Sequence, residues 1–361
     1  MLLAPAINQC FKLKEFYPLY GVQENKYQLL ADSLNGNENY FNGTWQRLKS
    51  YQLQENLLIR NPMIKIRNQI EFSMFEKINA EHLYYYGNQF YRFYCVDYHE
   101  GVLFRGEEQI NNKVKKLKSI AKVMGDSIPI ITIMAPSKIH LHKEFLPSYN
   151  TKKTELSNYR HIKKTLEINN MHCLDFNQWF INIKDTCVVP LMGSGGVHWS
   201  RYGSTLAMDS LVSYLNVITG KNYIHPNWKL APINDTCYHD NDAVKVSNLL
   251  FPPFDKKIRG VEYLDSNGKN KKIKALIISD SFFDVISHYG LREKIFTTDT
   301  KYDYYYGTQI GLTKHCEHIL LPELNEFIWS VDCIILMSDI VNLENYSWGF
   351  IEQAHQELVL E

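Results

Sequence analysis

Short apolar runs alternate with amphipathic segments through the middle and the C-terminal part of the chain. Four runs predict buried strands: "SIPIITIMAP", "MHCLDF", "KIKALIISDS" and "VDCIILMSD". Between them, apolar residues at helical spacing predict helices over 110–124, in "YRHIKKTLEINN" and in "GSTLAMDSLVSYLNVITG", the last ended by Gly220. Strands that alternate with helices favour a mainly parallel sheet covered on both faces, so the predicted fold class is α/β, a three-layer α/β/α sandwich.

The start of the chain differs from this pattern. Residues 1–60 are polar, aromatic and weakly periodic, with turn signals at "LNGNENYFNG", and predict an N-terminal extension. An amphipathic helix is predicted to begin near Pro62, with Asn61 as its cap. Neither a repeat nor a Pro/Gly-rich linker divides the remainder, so 61–361 is predicted to form one domain. Inside it, 221–260 is predicted to be a loop-rich insertion, and connections of that length are usually functional.

Composition narrows the classes of function. With 361 residues, 45% of them hydrophobic, the chain can bury a large core without the help of a metal or a disulfide. Lys plus Arg and Asp plus Glu both number 39, so no net charge favours a nucleic acid or anionic lipid as partner. The aromatic residues, 13% of the chain, suit stacking on sugar rings, although they fill protein cores equally well.

Cysteine and histidine spacing predicts neither a metal site nor a cofactor. The seven cysteines form no CxxC pair and no cluster of zinc spacing, and their odd number argues against a complete disulfide framework while leaving one or two bridges open. The stretch "HDNDA" offers His239, Asp240 and Asp242 to a hard cation such as calcium. Its spacing lacks the remaining ligands of a calcium loop, so a solvated turn is favoured.

The stretch "KIKALIISDSFFDVISHYG" places Asp280 and Ser281 between a predicted strand and a predicted helix. At the carboxyl edge of a parallel sheet, such a turn exposes a hydroxyl at the mouth of a crevice, and the first amides of the helix are unpaired donors. Two interpretations follow. Ser281 is either a nucleophile with an oxyanion site beside it, or an ordinary residue of a helix cap, since Asp and Ser are both common caps.

A second stretch, "LMGSGGVHWSRYGSTLAMDSL", presents His198 and Trp199 on a glycine-rich loop just before a predicted helix. A single histidine is more often structural than catalytic. A histidine on a shaped loop, together with a serine at a strand-to-helix turn of the same sheet, is instead the Ser/His half of a hydrolase site.

These two stretches resemble motifs of the alginate O-acetyltransferase family, whose members are SGNH-hydrolase-like domains with the histidine motif before the serine motif. "GGVHWSRYG" is similar to D-x-H-W-[ST]-x-x-G, and "IISDSFF" to G-[DT]-S-[FY]. In the same order, "ENLLIRNPMIKIRNQIEFSMF" resembles the family's N-F-P-L-R-x-x-L-I-x-x-x-N helix, and "IPIITIMAPSKIHLHKEFLP" its strand ending in P-x-K. The resemblance covers roughly residues 40–350, and the order of the motifs carries it.

The resemblance implies an extracytoplasmic protein that moves acetyl groups onto, or off, hydroxyls of a polysaccharide beside a membrane-bound O-acyltransferase. Ser281 would attack the acetyl carbonyl, His198 would act as the base, and backbone amides after Ser281 would hold the oxyanion. The apolar start "MLLAPA" adds the expectation of a membrane tether through a segment before Met1.

One position departs from the family pattern. Gly196 stands where the motif has an aspartate, so either another acid orients His198 or the site is a Ser/His dyad. Asp280 is interpreted as stabilising the turn, and Lys138 either lines the site or ends a strand. Three functions stay open: a polysaccharide O-acetyltransferase, an acetylesterase that uses the same residues with water, and a catalytically silent polysaccharide-binding assembly protein.

Overall fold

A computed structural model of the chain describes residues 18–21, 41–55, 59–80, 83–92, 103–147, 157–235, 238–253, 257–265, 270–304 and 326–360. The chain divides into two compact units: Met1–Tyr85 with Asp242–Phe254, and Tyr86–Asn241 with Asp255–Glu361. Much of the predicted N-terminal extension lies outside the described residues. Among the helices that are described, none has the length and hydrophobicity required to cross a membrane.

The elements are numbered in chain order. The helices are α1 (Thr44–Glu55), α2 (Arg60–Phe75), α3 (Glu107–Met124), α4 (Lys138–Leu141), α5 (Asn158–Ile168), α6 (Phe176–Ile183), α7 (Arg201–Thr219), α8 (Asp242–Val246), α9 (Ser281–His288), α10 (Arg292–Ile295) and α11 (Phe350–His355). The strands are β1 (Leu83–Tyr86), β2 (Gln89–Arg92), β3 (Ile130–Ala135), β4 (His172–Asp175), β5 (Trp228–Asp235), β6 (Lys257–Tyr263), β7 (Ala275–Ser279), β8 (Lys301–Tyr304) and β9 (Cys333–Asp339).

The larger unit is built on a parallel sheet. Within the described residues the sheet has five strands in the order β4, β3, β9, β7, β8, and every neighbouring pair is parallel. Four of these strands are the four apolar runs of the sequence, which confirms the predicted mainly parallel sheet. The edge strand β8 was not predicted because its sequence, KYDY, contains no apolar run.

Helices cover both faces of this sheet. Alternate residues of β3, β7 and β9 form one core with side chains of α6, α7 and α9; they include Ile131, Ile133, Ala275, Ile277, Ile335 and Met337. On the other face, α3 packs against α5 and α11 through an apolar stripe that comprises Ile110, Val114, Leu117, Ile120 and Met124. The predicted three-layer α/β/α sandwich is therefore confirmed.

In the smaller unit, helix α2 begins earlier than the sequence predicted. It starts at Arg60, and Asn61 lies inside the helix instead of capping it. Met63 N–H donates to the Ile59 carbonyl at 2.9 Å, so the first turn closes around Pro62, whose missing N–H is not needed there. The prediction of Asn61 as the cap was therefore wrong.

The segment 221–260 contains regular structure. Strands β5 and β6 form an antiparallel pair with a register shift between Leu230 and Ile233, and helix α8 lies between them in the sequence. The predicted solvated turn is wrong for Asp240 and Asp242, since both are buried. The side chain of His239 lies outside the described residues.

Candidate active site

Ser281 is the first residue of helix α9, directly beyond the carboxyl end of β7. The residue before it, Asp280, is the helix cap, and its Oδ1 accepts a hydrogen bond from Phe282 N–H at 3.1 Å. The capping role therefore belongs to the aspartate. Ser281 is half-buried, and its hydroxyl is not used to hold the end of the helix.

His198 lies next to this serine. Its Nε2 is 2.8 Å from Ser281 Oγ, a hydrogen-bond distance between two side chains that are 83 residues apart in the chain. His198 is 8% exposed, and its ring packs against Phe282 with centroids 5.1 Å apart. A largely buried imidazole in contact with a hydroxyl at a sheet edge is the arrangement that activates a serine nucleophile.

Trp199 joins the histidine loop to the serine helix. Its indole N–H donates to the carbonyl of Phe282 at 3.1 Å, and its fully buried ring meets the Phe282 ring edge-on at 5.2 Å. At the other end of α9, Tyr289 O–H donates to the Trp199 carbonyl at 3.3 Å. Movement of the loop relative to α9 would break these bonds, so Trp199 supports the distance between His198 and Ser281.

The carboxylate of Asp280 connects the serine turn to strand β9. Its Oδ2 accepts hydrogen bonds from Asp339 N–H at 2.7 Å and from Asn342 Nδ2 at 3.1 Å, in addition to the Phe282 amide on Oδ1. Burial raises the pKa of Asp280, while these donors and the nearby His198 act to lower it. With both oxygens engaged, Asp280 stabilises the turn and adds negative charge near the imidazole.

Asp339 is a buried acid that the sequence analysis did not single out. Burial raises its pKa well above the usual value, and the charge of Asp280 raises it further. Asp280 accepts hydrogen bonds from two backbone amides and the Asn342 side chain, whereas Asp339 accepts from the backbone amides of Val341, at 3.4 Å, and Ile340. Two interacting carboxyl groups in one buried site cannot both ionise cheaply, and we expect the proton that the pair keeps to lie on Asp339, whose pKa is raised further than that of Asp280.

Replacing Asp339 by asparagine is expected to remove part of the pH dependence of stability. Because the folded pKa of Asp339 lies above the unfolded value, the folded state binds more protons, and its stability falls as pH rises through the interval between the two values. Asparagine is an uncharged mimic of the protonated acid. The free energy of unfolding of Asp339→Asn, measured by chemical denaturation, should therefore increase relative to that of the wild type between about pH 5 and about pH 8. Parallel pH profiles would contradict a proton on Asp339.

The amides that the sequence analysis assigned to the oxyanion are already engaged. Phe282 N–H donates to Asp280 Oδ1 at 3.1 Å, and Phe283 N–H donates to the Asp280 carbonyl at 3.3 Å. Both donors serve the capping turn, which competes with an incoming oxyanion. The assignment of these amides to the oxyanion stays a prediction, since in the structure both are engaged in the turn.

Lys138 contacts Gly196, the residue that stands where the similar motif has an aspartate. The Gly196 carbonyl accepts a hydrogen bond from Lys138 Nζ at 2.6 Å, and Lys138 begins α4 just beyond strand β3. Lys138 therefore both follows the end of strand β3 and lies beside the loop that carries His198. In the described part of the chain, no group of three or more His, Cys, Asp or Glu side chains is arranged to hold a metal ion.

No protein-family model matches the sequence, and no curated protein matches it. Solved structures do. The O-acetyltransferase domain of Pseudomonas putida AlgJ is 14% identical, with 70% of this chain and 91% of that chain covered and a TM-score of 0.43. Bacillus cereus PatB1 with a sulfonyl adduct is 13% identical, with 68% and 92% covered and a TM-score of 0.43. Pseudomonas aeruginosa AlgX is 12% identical, with 76% and 66% covered and a TM-score of 0.42. The chain is therefore similar in structure to these three proteins at low sequence identity.

Proposed function

We propose that this protein is an O-acetyltransferase that acts on hydroxyls of a cell-envelope or exported polysaccharide through an acetyl-serine intermediate. The observation that carries the proposal is the 2.8 Å contact between Ser281 Oγ and His198 Nε2 at the carboxyl edge of a parallel sheet. Two sequence motifs, in the order that the resemblance implies, supply these two residues. The fold alone would not specify a reaction.

In the first half of the reaction, Ser281 Oγ attacks the acetyl carbonyl of a donor while His198 Nε2 takes the hydroxyl proton. The tetrahedral intermediate collapses to acetyl-Ser281, and His198 returns the proton to the leaving group. In the second half, His198 takes a proton from a sugar hydroxyl, which attacks acetyl-Ser281. The sugar ester leaves, and Ser281 regains its proton.

A buried acid, Asp280, lies near the Ser281 and His198 pair and contributes to its electrostatics. During each half-reaction His198 becomes an imidazolium. Burial raises the pKa of Asp280 while the nearby His198 acts to lower it, so a negative charge on Asp280 and a positive charge on the ring would attract each other. Since both Asp280 oxygens are already engaged, Asp280 stabilises the cation through its field and adds less than a directly bonded triad acid would. We therefore expect turnover slower than that of a complete triad.

The motif resemblance extends the proposal to setting and partners. Acetyl groups would reach Ser281 from a membrane-bound O-acyltransferase, and the protein would work, tethered to the membrane, in the periplasm or elsewhere outside the cytoplasm. The acceptor would be a polysaccharide, and no nucleic acid would take part. The equal numbers of acidic and basic residues give no net field that would favour a nucleic acid.

Purified protein is expected to release acetate from para-nitrophenyl acetate and, when soluble oligosaccharides are present, to form acetylated sugar detectable by mass spectrometry. The acceptor should increase nitrophenol release if deacetylation limits turnover. Acetate release with no acetylated sugar from any oligosaccharide tried would favour the acetylesterase. Saturable oligosaccharide binding without any release of acetate would instead favour the silent binding protein and contradict the proposed function.

A further inference from the structure

The ammonium group of Lys138 is enclosed by backbone carbonyls of the glycine-rich loop. Its Nζ lies 2.6 Å from each of the carbonyl oxygens of Gly193, Ser194 and Gly196, and the residue is 3% exposed. An ammonium has three N–H donors, and bonds from a charged donor are the strong class of hydrogen bond. With its donors directed at these carbonyls, Lys138 has the geometry of an anchor for the loop.

The segment that carries Lys138 is itself fixed. Lys138 follows β3, a strand that has neighbours on both sides in the sheet. Just before it, Ser137 N–H donates to Asn177 Oδ1 at 3.2 Å, and Asn177 Nδ2 is 3.0 Å from His140 Nδ1. The ammonium therefore extends from a rigid part of the fold toward the loop.

The loop is shaped so that its oxygens converge on this cation. Gly196 N–H donates to the Gly193 carbonyl at 3.3 Å, which closes a tight turn. At Gly193, a Cβ atom would lie 2.6 Å from the carbonyl oxygen of Asp240, so the backbone packs where no side chain fits. Converging buried carbonyls repel one another without a donor among them, and the turn leads within two residues to His198.

We propose that Lys138 is the positioning residue of His198: by binding the three loop carbonyls it performs the orienting part of the role that an aspartate at position 196 would have. This inference rests on the proposed function of Ser281 and His198. Lys138 acts through the backbone, so it replaces the orientation that the acid would give and not its negative charge. The negative charge that the acid would supply is not part of this role.

The test is to replace Lys138 by methionine, which keeps the length of the side chain and removes the donors. We expect kcat for acetate release to fall on the order of a hundredfold with KM changed less than about threefold, because a small displacement of a catalytic group costs about that much in rate. The ¹⁵N resonances of the His198 imidazole should also change, as the hydrogen bond to Ser281 is lost.

Lys184 provides a matched control. Its Nζ donates to the Leu141 carbonyl at 2.6 Å. Lys184→Met therefore also removes a hydrogen bond from a lysine to a backbone carbonyl, but that carbonyl lies outside the loop that carries His198. We expect kcat within about twofold of wild type and an unchanged His198 spectrum in this variant. Equal effects of the two substitutions on both readouts would overturn the positioning role and indicate a general loss of structure.

The spectrum separates this inference from the proposed function. If the wild type releases no acetate, the proposed function fails, yet displaced His198 resonances in Lys138→Met would still support positioning. Wild-type kcat and an unchanged spectrum in Lys138→Met would overturn it. Should that variant not fold, Lys138→Gln, which is neutral but keeps two donors, carries the test: an intermediate loss of kcat supports the inference, and wild-type kcat with an unchanged His198 spectrum overturns it.

Discussion

Ser281→Ala and His198→Ala are each expected to lower the rate of acetate release by about a thousandfold or more, and the double variant should lose little beyond either single one. Residues that act as one nucleophilic unit lose most of their joint contribution when either is removed, so their effects do not add. The measurement is the turnover of para-nitrophenyl acetate by the three variants at matched protein concentration.

Stability should separate this loss from unfolding. Because Asp280, and not Ser281, caps α9, Ser281→Ala should change the free energy of unfolding by less than about 0.5 kcal/mol. Ser287→Ala, on the same helix, is the matched control, and it should keep wild-type turnover. Single variants that retained turnover, or a double variant whose loss equalled the product of the two single losses, would contradict a Ser/His unit.

Most of the fold could be predicted from the sequence because the central strands are continuous apolar runs, a local signal. Strand β8 could not, since in the described part of the sheet it pairs with one neighbour, β7, and its residues Lys301, Tyr302, Asp303 and Tyr304 form no apolar run. The start of α2 was also predicted wrongly. Asparagine is a common helix cap, but Asn61 lies inside the helix and is buried.

The sequence predicts those site residues that lie in recognisable local patterns. Ser281 at a strand-to-helix turn and His198 on a glycine-rich loop both have such patterns, and the fold places them 2.8 Å apart. Asp339 had a weaker signal at the end of a predicted strand. Only the strand order, with β9 beside β7, places it at the same edge as Asp280.

The consequence of losing the motif aspartate could not be read from the sequence. Gly196 stands where the similar motif has an aspartate, but its neighbours in the chain do not show what holds the loop. Lys138 is 58 residues away from Gly196, and its contact with three carbonyls depends on how the loop folds against the end of β3. A contact with backbone oxygen leaves no pattern of side-chain types in the sequence.

The second large effect is a change in stability, expected for Gly203→Ala in the first turn of α7. Here sequence and structure predict opposite signs for the change in the free energy of unfolding. In a helix, alanine is favoured over glycine by about 1 kcal/mol, so composition alone predicts that Gly203→Ala stabilises the protein. In the fold, a Cβ at this position would clash with the carbonyl oxygen of Leu191. That oxygen also accepts the Ser200 N–H at 2.8 Å, so neither partner can move freely.

The clash with backbone should outweigh the helix propensity. Overpacking in a closed site costs about 1–3 kcal/mol and occasionally more, so we expect a net loss of about 2 kcal/mol in the free energy of unfolding for Gly203→Ala. Because Ser200 and Gly203 fix the start of α7 just after His198, acetate release should fall further than the unfolded fraction explains. The control is Gly260→Ala, where a Cβ meets nothing within 4 Å and stability should be nearly unchanged. A Gly203→Ala protein more stable than wild type in urea denaturation would mean that α7 can move away from Leu191, and that the position of the His198 loop is not fixed by this contact.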